Sequence, residues 1–251
     1  MRNKIRLAIL LFFFIVLSIV LHYKNKDSDT VEASQNNATA TSTVSKITNI
    51  FKPEEPKTLV RLDVPYISEA PEGNWSGNWV NACEEATISM AAKFYAGDKE
   101  VSIANAKATL QKLFDIENKI YGNNRNTDAK QMLKLITDYS TFSATIKQNP
   151  TVDEIKDEII AGHPVISLHR GFGLGNKNIP FLATGSSYHT IIVIGFDDVK
   201  KEFITHDPGD DKDGVGHRYD YDVFMNSLHN YDFSDNQADG VPTVLFTEPK
   251  K

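Results

Sequence analysis

The 251 residues carry 27 Lys and Arg against 33 Asp and Glu, a net charge of −6, and 41% of them are hydrophobic. That balance suits a globular domain and speaks against nucleic acid as a partner, since no basic stripe runs through the chain. A single cysteine, Cys83, excludes an intrachain disulfide and a cysteine-rich zinc site, so the fold must rest on its core.

Arg2, Lys4 and Arg6 precede an apolar run over 7–21 that is broken only by Ser18. A basic n-region followed by a hydrophobic stretch is a targeting signal, and residues 5–23 sit at the short end of a bilayer span. His22-Tyr23-Lys24-Asn25-Lys26 follows where cleavage would need small residues. Residues 1–26 are therefore expected to be an uncleaved signal anchor, a single transmembrane helix; a cleaved signal peptide with secretion is the alternative. The balance of basic residues puts the N-terminus in the cytoplasm and the rest on the extracytoplasmic side. Residues 27–57, rich in Ser, Thr, Asn and Ala and closed by Pro53-Glu54-Glu55-Pro56, read as a disordered linker.

A folded domain is expected over 58–251, ample for one core. Leu59, Leu62 and Val64 interleave with Arg61 and Asp63 ahead of Pro65, which predicts a short edge strand. A polar, aromatic loop holding Trp75 and Trp79 runs into a helix beginning at Cys83. Ala86, Ile88, Met90, Ala91, Phe94 and Tyr95 cover a wide face of it, as in a buried helix, and Gly97 ends it. Amphipathic helices are predicted over 102–114 and 127–139, the second opened by Thr127. A fourth spans 151–161, with Thr151 and Glu154 at capping-box spacing and Gly162 as its stop.

The period then becomes that of strands. Residues 163–168 form one, a glycine-rich loop follows at 171–176, and 189–196 are a β-branched run suited to a central strand. Asp197 and Asp198 turn the chain, 202–206 return antiparallel, and 243–246 make the last strand. Helices first and an antiparallel sheet afterwards predict an α+β fold, with the Cys83 helix packed on the sheet.

This order of elements lets three chemistry-bearing residues meet. His189 begins one hairpin strand and Asp207 follows the end of its neighbour, so both fall at the same end of the pair. A helix N-terminus packed there presents Cys83, and the positive end of the helix favours a thiolate. In that arrangement His189 takes the thiol proton and returns it to a leaving amine, while Asp207 sets its tautomer. The backbone N–H of Cys83 and one side-chain amide would hold the oxyanion. Each residue also has an ordinary reading: a buried apolar Cys, a surface His, and a plain Asp-Pro-Gly turn.

The ordered set Val64-Pro65-Tyr66, Ala82-Cys83 with Ala86 and Met90, Ala161-Gly162-His163-Pro164-Val165, the run from His189 to Asp197, and Asp207-Pro208-Gly209 resembles the papain-like superfamily. Within it the resemblance is to family 39 of the cysteine peptidases, the bacterial double-glycine or bacteriocin-processing type. It implies a papain-like fold, a peptide or protein substrate, Cys83 as nucleophile, His189 as base and Asp207 as orienting acid. Two departures stand out. Glu84 and Glu85 follow the cysteine where the family has small residues, and carboxylates close to the sulfur oppose thiolate formation. The family's oxyanion glutamine, six positions before the cysteine, is Gly77 here, which leaves Asn78 or Asn81, or Asn74, as amide candidates. The absence of transporter segments speaks against leader-peptide export.

Other patterns are weaker. Asp207, Asp210, Asp211 and Asp213 with Gly214 miss the calcium-loop spacing, because Gly209 falls at the first ligand position. His206, His217 and His229 lack zinc-ligand spacing, and 171–175 does not open a helix as a phosphate loop does. No cofactor or metal is therefore expected, and the glycine-rich loop reads as a border of the substrate cleft, with Trp75 and Trp79 as cleft residues. Two other readings use the same scaffold. One is a cell-wall amidase or acyltransferase acting through Cys83; the other is a catalytically inactive papain-fold binding module.

Overall fold

The structure is a computed structural model that describes residues 58–179 and 188–250; the expected anchor and linker lie outside them. The chain enters through β1 (Leu59–Arg61) and a 3-10 turn at Gly77–Asn81. Three helices follow, α1 (Cys83–Tyr95), α2 (Ile103–Tyr121) and α3 (Ala129–Tyr139). Next come β2 (Phe142–Gln148), α4 (Val152–Ala161), β3 (Val165–Arg170) and the short α5 (Gly171–Leu174). The rest is β4 (Tyr188–Asp197), β5 (Glu202–His206), β6 (Val215–Asp220), α6 (Tyr221–Ser227) and β7 (Thr243–Pro249). Among the described residues the fold is α+β: one antiparallel sheet in the order β2-β7-β3-β4-β5-β6, with β1 paired to β4. No helix among the described residues is long and apolar enough to cross a membrane.

Helix ends follow the local chemistry. Thr151 and Glu154 form the reciprocal capping box of α4, and Gly162 closes that helix at φ 91°. The start of α3 differs from expectation: Asp128 rather than Thr127 is the cap, boxed with Gln131. Helix α2 outlasts its predicted end by two turns and stops at Gly122, φ 77°. Ile116, Ile120 and Tyr121 of the added turns pack on the core, and Glu117 itself is buried.

Strand β4 is the axis, with every residue buried. Ile192 and Ile194 face α1, α2 and α3 in one core layer; Ile191 and Val193 face the second layer, with Ile155 and Ile159 of α4 and Phe224 of α6. The sheet is thus covered on both faces, a two-sided core that explains the unbroken apolar run. A bulge against β5 skips Ile194, since Val193 pairs with Thr205 and Gly195 with Ile204. One extra residue reverses the side-chain alternation, so Phe196 joins Val193 in the second layer. Gly195 is required here by close approach: a Cβ would lie 2.3 Å from the Val60 carbonyl oxygen on β1.

Strands β2 and β6 were not foreseen. Both are edge strands with mixed exposure, and Lys147, Gln148, Gly216, His217 and Arg218 give them no clean alternation. They exist because a neighbour's backbone offers partners, which no local pattern records.

Candidate active site

Cys83 opens α1, led in by Ala82, whose side chain cannot cap the helix. The sheet explains where the sulfur sits. Strand β5 pairs with β4 only from Ile192 onward, which leaves the first residues of β4 open on that side. There the Thr190 backbone N–H bonds the sulfur. The thiol donates to Glu84 Oε2 at 2.9 Å, while Glu84 Oε1 accepts from the Thr127 N–H at 2.8 Å. Glu85 turns away, toward the buried Glu117 of α2, whose carboxyl burial pushes up to about 7.

His189 and Asp207 meet as the hairpin geometry requires. His189 Nε2 lies 2.7 Å from Asp207 Oδ1, and both side chains are fully buried. The carboxylate is saturated with donors. The Gly209 N–H reaches Oδ1 at 3.1 Å, and Oδ2 accepts from the Tyr219 hydroxyl at 2.5 Å and from Asn176 Nδ2 at 3.3 Å. Burial pushes Asp207 up, but its pairing with His189 and the Tyr219 hydrogen bond outweigh it and hold the carboxyl below its ordinary range. Asn176 is delivered by the glycine-rich segment, whose short helix ends at Gly175 in the left-handed conformation. That segment is thus a support for Asp207 at its far end.

Glu69 is the residue that sequence reasoning missed. Its carboxyl, one His189 ring nitrogen and the Cys83 sulfur lie within 4.8 Å of one another. Glu69 is completely buried, and neither carboxyl oxygen has a hydrogen-bond partner among the described residues. The backbone explains its position. The Glu69 N–H donates to the Pro208 carbonyl at 3.0 Å, and the Tyr66 hydroxyl donates to the Asp207 and Asp210 carbonyls, both at 3.2 Å. The segment after β1 is therefore stitched to the turn that carries Asp207. Its only sequence signal is an acidic residue between the buried Ile67 and Ala70.

The amide and aromatic candidates sit on the loop and 3-10 turn that lead into α1. Asn74 and Asn78 are exposed and Asn81 is half-buried on the 3-10 turn. Trp75 is half-buried, and Trp79 packs edge-on against Phe114 at 5.4 Å. Trp79 also lines a shallow depression of about 10 Å³ with Ala70, Pro71 and Lys107. His206 is structural: Nε2 donates to the Val64 carbonyl, Nδ1 accepts from the Gly216 N–H, and burial lowers its pKa to about 4. In the Asp207–Gly214 loop, Asp210 Oδ1 accepts from the Lys212 and Asp213 N–H groups, closing a turn.

Electrostatically the site rests with a neutral thiol. Burial, then the Glu84 and Glu69 carboxyls, push Cys83 well above its ordinary range, and the Thr190 N–H offsets little of this. The helix terminus, worth about 0.3–1 kcal/mol, is outweighed by desolvation. Burial followed by the charges of Asp207 and Glu84 keeps Glu69 protonated as well. Replacing Glu84 with Gln keeps an acceptor for the Thr127 N–H and turns an amide donor toward the sulfur. Iodoacetamide labelling of Glu84→Gln at pH 7 is expected to run about ten-fold faster. An unchanged rate would show that burial alone sets the thiol.

A cysteine at a helix N-terminus, faced by a histidine that a buried aspartate holds, on an α+β sheet, defines the cysteine-peptidase class of hydrolase. The chain belongs to the Peptidase_C39 like family, whose model matches residues 61–239. The family points to a peptide or protein as the substrate class. Among solved structures, a crystal structure of a candidate C39-like peptidase from Bacillus anthracis aligns over 78% of this chain and 100% of its own, at 15% identity and a TM-score of 0.49. A search of curated proteins finds no match.

Proposed function

We propose that this protein is a cysteine peptidase that hydrolyses peptide bonds through Cys83, His189 and Asp207 on a papain-like scaffold. The reading includes residues 1–26 as a membrane anchor and 27–57 as a tether, with the domain on the extracytoplasmic side. The observation that carries it is the His189 ring, bonded to Asp207 at 2.7 Å and within 4.8 Å of the Cys83 sulfur.

With Nε2 engaged by Asp207, proton exchange with the sulfur falls to Nδ1. Because the thiol rests neutral, His189 removes its proton as the sulfur attacks the scissile carbonyl, rather than beforehand. The oxyanion is met by the Cys83 backbone N–H and by the carboxyl O–H of Glu69, which takes the place of an amide. His189 then protonates the leaving amine, and water hydrolyses the thioester.

The test is to incubate the full-length protein with a denatured protein mixture and map new N-termini by mass spectrometry. Cleavage by the wild type that disappears in His189→Ala supports the reading. A wild type that yields no new N-termini rejects it in favour of the binding module, the alternative that the neutral thiol favours.

A further inference from the structure

We propose that Glu69, Cys83 and His189 form a binding site for a divalent zinc ion, which switches the nucleophile off. The three donors come from separate parts of the fold: the segment after β1, the first residue of α1, and the start of β4. All three residues are buried and their ligand atoms lie within 4.8 Å of one another. Bonds of about 2.3 Å to sulfur and about 2.0–2.1 Å to nitrogen and oxygen place tetrahedral donors about 3.3–3.6 Å apart, so modest side-chain rotations close the set.

The donor chemistry selects the ion. One thiolate, one imidazole and one carboxylate with a fourth position open is a zinc set, whereas calcium and magnesium need more oxygen ligands than the single carboxyl supplies. Charge also balances, because thiolate and carboxylate together neutralise the ion in a site closed to water. His189 is already held from behind by Asp207, the carboxylate–histidine support that fixes a metal-binding ring. Glu69 supplies the independent sign. A fully buried carboxyl with no hydrogen-bond partner is costly to keep, and an amide would do for the oxyanion alone.

Binding exchanges protons for metal. The thiol proton and the Glu69 proton leave to solvent, and sulfur and carboxylate bond the ion in their place. The ion then withdraws the sulfur's negative charge and occupies the His189 nitrogen that would carry its proton, so a metal-loaded enzyme is inactive until a chelator or competing ligand removes the ion. Only this consequence depends on the peptidase reading; the site itself does not.

The experiment titrates the metal-free full-length protein with Co²⁺ as a spectroscopic stand-in, followed by Zn²⁺ displacement. One equivalent should raise a near-ultraviolet sulfur-to-cobalt charge-transfer band and intense visible bands of tetrahedral cobalt, and Zn²⁺ should erase both. Cys83→Ala should lose the charge-transfer band, and Glu69→Gln should weaken binding at least ten-fold with an unchanged thermal midpoint. In parallel, Zn²⁺ should protect Cys83 from iodoacetamide in the wild type and not in Glu69→Gln, a readout that does not require the alanine variant to fold. No charge-transfer band, or equal protection in Glu69→Gln, overturns the site. Cobalt bands in a protein that yields no new N-termini would uphold the site and reject the peptidase.

Discussion

Cys83→Ala is expected to abolish peptide hydrolysis, by at least about 10⁴-fold in turnover, while the thermal midpoint moves by only a few degrees. Losing a covalent nucleophile removes the whole double-displacement route, and losses near 10⁶ are known for such residues. Folding should survive because the deletion is one sulfur atom, a change worth about 1 kcal/mol. Glu84 loses the thiol donor but keeps the Thr127 N–H on its other oxygen. Turnover of denatured protein and a melting curve, measured on the same preparation, check both halves. Residual cleavage above about a hundredth of wild type would place the nucleophile elsewhere.

Asp207→Ala should cost both activity and stability, about 3–5 kcal/mol of the latter. The carboxylate accepts from His189, the Gly209 N–H, the Tyr219 hydroxyl and Asn176, all in a region closed to water. Removing it strands several buried donors, and each carries a desolvation cost of about 1–3 kcal/mol. Asp207→Asn is the milder variant. It preserves shape but loses the charge that stabilises the imidazolium, so turnover should fall by about 10²–10⁴ with a smaller loss of stability. Urea denaturation of both variants beside wild type separates the two effects. If Asp207→Ala were as stable as wild type, the network around it would not be holding the site.

The elements with strong local signals were legible. Thr151 and Glu154 capped α4 as their spacing required, and the β-branched run of β4 became the central strand. Helix α1 began at Cys83 and was buried from there through Ala91. Local chemistry decides such features, because a cap or an alternating pattern acts over only a few residues. The edge strands β2 and β6 and the last two turns of α2 were not legible, because their partners lie far away in sequence.

The same division runs through the site. The sequence by itself determined which residues could do chemistry: a single thiol at a helix start, a histidine opening one strand and an aspartate closing the next. It also determined that Glu84 and Glu85 would stand beside the thiol. Only the tertiary structure decided what those neighbours do. It bonded Glu84 to the sulfur, sent Glu85 to Glu117, and so left the thiol neutral. It brought Glu69, fourteen positions before Cys83, against the sulfur through backbone bonds to the Asp207 turn. Asn176 and Tyr219 reached Asp207 in the same way. The reason is physical: residue type sets the chemistry a side chain is capable of, whereas burial and charged neighbours set its protonation state, and long-range packing supplies both.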